Sequence, residues 1–467
     1  MALRLPRVEG PIPPRAARAA GALGAATVVG LGVSVLLGQF EAGQAAVLLF
    51  LGAAGGIGLA TLAITRFETF VLAVLALRAS LDWAKPATRS LVGLQPAAAL
   101  GILFTVAGVL WLGGRRRARG REVERSSLTG AVVVFLAAAL ASVPLSGGPA
   151  SSLLEFARIA AAVVMLVVLE RMLVRPEQVQ RLLTVVFLSA LVPLAVATFQ
   201  MIRHTGLFVR ADFSRVTGTF LHPTSFAAYL ALLIIMGAAL LPHLERRFRL
   251  PMLGLLGACS VFLLLTYTRG AWIAALAGVV VVGMLQDRRL AATALAAAVI
   301  AIYMVPSVSA RFTDLERASH PRSGTPNNSL VWRVGYWTEA LQLANRNPVT
   351  GIGLKQVELL TEEEKTPHND FVRAYVEMGA VGLLAYLGLI AALVMAARRA
   401  LARARAGWPR AVAAGFAGCM AAFLLQSLIG NLLSQVVILW YLFAFAAAAL
   451  ASSRFRGPEG ARAGRIT

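Results

Sequence analysis

The apolar positions of this chain fall into long unbroken blocks rather than into alternating or striped patterns. A helix that crosses a bilayer needs about 20 consecutive apolar residues. Blocks of that kind lie near 18–38, 44–64, 97–113, 128–146, 153–173, 181–203, 224–242, 251–266, 270–286, 289–306, 371–396, 411–428 and 431–452. A shorter block at 68–80 is the fourteenth. The pattern predicts an all-α, polytopic integral membrane protein with about 12 to 14 transmembrane helices and one long connection over residues 307–370.

The polar breaks between blocks alternate in charge, and this orients the chain. Arg4, Arg7, Arg15 and Arg18 precede the first block. Every second connection is then arginine-rich, as in Arg115 to Arg125, Arg171 to Arg181, Arg246 to Arg249, Arg288 with Arg289, and Arg398 to Arg410, and so is the tail from Arg454 to Arg465. Basic connections stay in the cytoplasm, whereas those between them, such as Gly147 to Ser152, are nearly uncharged. The alternation holds only if 68–80 crosses; a twelve-span arrangement with 44–80 as a re-entrant pair is the alternative. The organisation predicted is a cytoplasmic segment 1–17, transmembrane helices over 18–306, an extracytoplasmic loop over 307–370, transmembrane helices over 371–452 and a cytoplasmic tail 453–467. The arginines before an apolar stretch resemble a signal peptide, but no small-residue cleavage pattern follows and the stretch is long enough to span.

Composition agrees with the pattern. Of 467 residues 58% are hydrophobic and only 14% charged, against about 25% charged in soluble domains. The net charge of +22 would suggest nucleic acid on a soluble domain, but here it is topology plus attraction to anionic lipid, and no nucleic-acid partner is expected. Cys259 and Cys419 both lie inside apolar blocks, where neither a disulfide framework nor a zinc site is expected. Near the middle of the long blocks there is no Asp, Glu, Lys or Arg, which counts against ion-coupled transporters. Two pairs, Glu155 with Arg158 and Arg373 with Glu377, sit near the outer ends of blocks at helical spacing, where mutual neutralisation is the simplest role.

Polar chemistry collects on the outer side. One element is the connection from Arg203 to Pro223, with Arg210, Asp212, Arg215, Thr217 and His222; another is the tight turn from Thr266 to Gly270, with Arg269. The third is the 307–370 loop, which is too long for a mere connector and ends in Pro367, His368, Asn369 and Asp370. Within it Leu330, Val334, Trp337, Leu341 and Ala344 recur at helical spacing behind a cap at Asn328 or Ser329. With Trp332, Tyr336 and Trp337 this predicts an interfacial helix, stopped by Pro348, Gly351 and Gly353. Its simplest role is an anchor, but Arg333 sits in its middle.

Taken in order, Arg215 to Pro223, Thr266 to Gly270, Trp332, Arg333 and Trp337, then Pro348, Gly351 and Gly353, and finally His368 and Asn369 with Glu377, Gly379 and Gly382, this set resembles the O-antigen ligase and polymerase superfamily over roughly residues 200–400. The resemblance implies a GT-C-like, multi-spanning glycosyltransferase of the bacterial inner membrane. Its donor would be a polyprenyl-pyrophosphate-linked glycan and its acceptor a lipid or glycan hydroxyl on the outer face, as in lipopolysaccharide biosynthesis.

The residues agree with what the resemblance implies. His368 is the candidate base, since a neutral imidazole can take a hydroxyl proton; the alternative is an ordinary helix cap. Arg269 and Arg333, with Arg215 third, are candidates for pyrophosphate, because guanidinium forks match phosphate oxygens; the alternative is arginines reaching to lipid phosphate. Asn369, Asp370, Arg373, Glu377 and His222 are expected around them, with Asp370 alternatively capping the following helix. Glu362, Glu363 and Glu364 form the only acidic cluster and read as a solvated face. No metal and no cofactor are therefore expected, and the reaction is expected to be a metal-independent, inverting transfer. A polymerase of the same fold, a lipid-linked oligosaccharide flippase or transporter, and a structural scaffold are the competing readings. Neither the sugar nor the oligomeric state is legible.

Overall fold

The computed structural model describes residues 42–82, 96–118, 127–210, 213–304, 329–361 and 366–455. Before the long connection come α1 (Ala42–Thr65), α2 (Phe67–Arg78), α3 (Pro96–Ala118), α4 (Ser127–Ser142), α5 (Pro149–Met172), α6 (Pro176–Leu188), α7 (Leu191–Arg203), α8 (Pro223–Leu240), α9 (Arg246–Leu265), α10 (Arg269–Gln286) and α11 (Arg288–Met304). Within it lie α12 (Ser329–Ala344) and α13 (Gln356–Leu360), and after it α14 (Asp370–Arg403), α15 (Trp408–Ser427) and α16 (Val436–Ser452). Among the described residues nine helical stretches are long and apolar enough to cross a membrane, so this is a multi-pass helical membrane protein. The block at 18–38 lies outside the described residues.

Local chemistry sets the boundaries. α3, α5, α6 and α8 all begin at proline, where a missing N–H costs no intrahelical bond. The block at 181–203 is not one continuous helix: it breaks at Ser189 and Ala190 into α6 and α7. Pro193 cannot donate to the Ser189 carbonyl, and the Ser189 hydroxyl is engaged with the Val186 carbonyl and Tyr229 at 2.6 and 2.7 Å. A further departure is a two-stranded hairpin, β1 (Phe208–Arg210) and β2 (Phe213–Arg215), with Phe208 opposite Arg215.

α8, α15 and α16 are buried on nearly every face and form the centre of the bundle, as expected of helices that are apolar all round. α2 has only 12 residues, about 18 Å of helix. It starts with Glu68, held by Gln178 and Arg181 at 2.8 and 3.0 Å, and ends where the Thr219 hydroxyl donates to the Ala79 carbonyl at 2.6 Å. Phe70, Val71, Val74 and Leu75 along it are fully buried.

Contacts between helix termini define two polar ends. At one, Arg454 reaches Glu170 at 3.0 Å and Trp408 meets Phe455. At the other, the starts of α5 and α14 meet the ends of α4 and α15 and the loop before α16. Ser152 donates to the Leu354 carbonyl at 2.6 Å, and Asp370 and Arg373 reach the segment 432–434.

α14 is broken. Gly379 has φ 67° and ψ −168°, which divides the helix into a short first piece, Asp370 to Met378, and a long second piece. The backbone groups released by the break are taken up by the segment that follows α12. Ile352 and Gly353 donate to the Val376 and Glu377 carbonyls at 3.0 and 2.9 Å, and Ala380 donates to the Pro348 carbonyl at 2.9 Å. Irregular backbone at membrane depth is tolerated where protein covers it in this way. Gly351 and Gly379 both stand where main chain meets main chain. A Cβ on Gly379 would collide with the Val349 carbonyl, and one on Gly351 would lie 2.5 Å from the Gly379 nitrogen. Gly379→Ala is expected to lose at least about 1–3 kcal/mol from its backbone conformation alone. Thermal unfolding in detergent checks this, and Gly351→Ala should be non-additive with it because both disturb one joint.

The predicted helix in the loop is present as α12. Tyr336, Ala340 and Ala344 face the protein and pack with Ile352, Val357 and Val376, while Val334 and Leu341 are 57% and 39% exposed. Of the residues expected at helical spacing, Ala344 belongs to the buried face, Trp337 is partly buried and Val334 and Leu341 face outward.

Candidate functional site

The site is built where the first piece of α14 meets the loop between α15 and α16. His368 stands just before α14 with φ 53°, a left-handed conformation that a side-chain-bearing residue holds only when its surroundings fix it. Three contacts do so. The Trp337 indole donates to the Pro367 carbonyl at 2.5 Å. The Asn369 side chain accepts from the Phe371 and Val372 amides at 2.9 and 3.1 Å. The Asn431 amide lies 3.0 Å from His368 Nδ1 and also contacts Thr366.

The helix cap is therefore Asn369, and Asp370 does something else. Its carboxylate is fully buried and accepts from the Leu432 and Leu433 amides at 3.0 and 3.2 Å, pinning the 3₁₀ turn 432–434 that precedes α16. Below it, Arg373 is 2% exposed. Its Nε donates to Glu377 at 2.9 Å, its Nη2 to Glu155 at 2.9 Å, and its Nη1 contacts Ser434. Arg158 adds a bond to Glu155 at 3.1 Å. The two expected ion pairs are thus one network joining α5, α14 and the 432–434 turn.

The elements that carry the arginine candidates meet the site at two places. Thr266, Tyr267 (φ 48°) and Thr268 make the turn into α10, so Arg269 stands in that helix's first position. Arg215, 5% exposed, clamps the same turn by donating to the Thr266 carbonyl at 2.7 Å and to the Thr268 hydroxyl at 2.8 Å. Beside Arg269, Gly270 lies so close to Ile429 that a Cβ would overlap its side chain, which brings the turn against the segment carrying Asn431. Arg333 is partly buried one helical turn before Trp337, on the side of α12 that meets Pro367. His222 is the cap of α8: its Nδ1 accepts from the Thr224 amide at 3.2 Å, and its ring meets Phe208. Among the described residues no group of three His, Cys, Asp or Glu side chains is placed to hold a metal ion; Glu362, Glu363 and Glu364 lie outside them.

Sequence reading missed Asn431, Ser434 and the link from Glu155. The signal was present: Ser427, Asn431, Ser434 and Gln435 interrupt an otherwise apolar stretch, and polar groups at that depth need a reason. Such an assembly can hold an anion beside Arg269 and Arg333 and present an imidazole to a hydroxyl at a lipid surface.

Residues 254–387 match the family model described as O-antigen ligase. The matched stretch contains Arg269, Arg333, His368, Arg373 and Glu377; Arg215, His222, Glu155 and Asn431 lie outside it. No match was found among curated proteins.

Proposed function

We propose that this membrane protein, which carries an O-antigen ligase segment, transfers a glycan from a polyprenyl pyrophosphate to an acceptor hydroxyl at the outer surface of the bacterial inner membrane. The observation that supports this reading best is the company of His368. It is held in a left-handed conformation where α12, α14 and the loop before α16 meet, with the turn that carries Arg269 against that loop.

In this reading the donor lies with its isoprenoid chain among the helices and its pyrophosphate at Arg269 and Arg333. The acceptor oxygen forms a bond to the anomeric carbon while the bond from that carbon to the pyrophosphate oxygen breaks. The acceptor proton passes to His368, and the leaving polyprenyl pyrophosphate carries away the negative charge that the guanidinium groups have stabilised. One displacement inverts the anomeric centre. Arg215 contributes by fixing the turn that carries Arg269, and His222 by starting α8. Arginine charge takes the role a divalent cation has in other transferases.

Transfer in reconstituted vesicles tests the reading, using a polyprenyl-pyrophosphate glycan, lipid and glycan acceptors, and EDTA. Glycan should appear on an acceptor with inverted configuration and undiminished by EDTA; movement of the donor across the bilayer without transfer would overturn the reading in favour of a flippase. Arg269→Lys keeps the charge but loses the planar fork, and is expected to lower kcat/KM for the donor by about 10²-fold.

A further inference from the structure

Asn431 is nine-tenths buried and its Nδ2 position lies 3.0 Å from His368 Nδ1 and against the Thr366 hydroxyl, while its Oδ1 has no hydrogen-bond partner among the described residues. The oxygen and nitrogen of an amide are assigned by their partners rather than by shape, so two arrangements share this geometry. With nitrogen toward the ring, Nδ1 accepts, the imidazole proton sits on Nε2, and His368 has no lone pair for a substrate hydroxyl. With oxygen toward the ring, one amide oxygen accepts both the Nδ1 proton and the Thr366 hydroxyl, and Nε2 carries the lone pair.

From this contact, and resting on the reading of His368 as the base, we infer that Asn431 is the positioning residue of the site: its amide oxygen accepts from His368 Nδ1–H and so selects the tautomer whose Nε2 takes the acceptor proton. The placement suits the task. Asn431 follows Ile429, which packs on Gly270, and precedes Leu432 and Leu433, whose amides Asp370 holds. The amide is therefore fixed to the same segment that abuts the Arg269 turn, and ring, turn and amide move together. Histidines that bind metals use a neighbouring acceptor in the same manner to fix tautomer and ring orientation.

Nitrogen-15 magnetic resonance of the untagged full chain in lipid, labelled at histidine, reads the tautomer directly, with His368→Gln identifying the signal among the five histidines. The expected spectrum has Nδ1 protonated and Nε2 unprotonated in neutral His368. An Nε2-protonated ring in the wild type would overturn the inference without any variant of Asn431 having to fold. Asn431→Ala should mix the tautomers and lower kcat by about 10- to 100-fold with KM unchanged, whereas Asn431→Asp, which still accepts from Nδ1–H, should restore the single tautomer and most of the rate. Equal spectra for Asn431→Ala and wild type would overturn it as well. Failure of the base reading is distinguishable, because it would show as transfer by His368→Ala whatever the spectrum.

Discussion

Replacing His368 by alanine is expected to lower kcat for glycan transfer by about 10²- to 10⁴-fold, the range of a positioned general base, while leaving donor binding nearly intact. The separation follows from the architecture. Anion binding is assigned to Arg269 and Arg333, which stand on α10 and α12, whereas His368 sits on the strained residue before α14. Donor affinity measured in detergent beside single-turnover transfer in vesicles distinguishes the two roles. An unchanged rate in His368→Ala would remove the base from the proposal, and a parallel loss of donor affinity would place the imidazole at the pyrophosphate instead.

The second large effect is on stability. Arg373 satisfies Glu155 and Glu377 at once, with 3% of its side chain exposed against 2% and 1% for theirs. Arg373→Leu would leave buried Glu377 without its cation and Glu155 with only the half-exposed Arg158, and breaking a buried ion pair by removing one partner costs about 3–5 kcal/mol. The triple variant Glu155→Gln, Arg373→Met, Glu377→Gln removes the charges together and should recover much of that loss. Chemical unfolding followed by circular dichroism in detergent compares the two. If Arg373→Leu unfolds with the wild-type midpoint, the network carries no stability and its charges must be explained by function alone.

These residues also mark how far the sequence could be read. Helices of bilayer length were legible because each buries or presents some 20 apolar residues, a signal that survives without any knowledge of neighbours. His368 and Arg269 stood out as candidates because polar residues at the ends of such helices are conspicuous, and Arg333 because it is a charge inside the loop helix. What was hidden depends on pairing across long separations. Glu155 lies 218 positions before its partner Arg373, and nothing in either local pattern selects the cross-link over the two short-range pairs. Asp370 was open to reading as a cap because caps are local, whereas its actual partners are amides 62 and 63 positions later. On α12 the expected spacing took in Val334 and Leu341 but not Tyr336 and Ala340, which are buried beside the expected Ala344. The break at Gly379 was visible only as a glycine, since the carbonyl that excludes a side chain there comes from Val349.

The joint between the 348–353 segment and broken α14 is made almost wholly of main chain. An attachment of that kind does not consult side-chain identity, apart from the glycines that let it close. Substitutions at the exposed Val349 and Thr350 or along the exposed side of α12 can therefore remodel the surface around the joint while its seating is preserved. The fold separates the parts that must hold still from those that can diversify, so descendants of one ancestor could exchange acceptors without first re-inventing the catalytic corner.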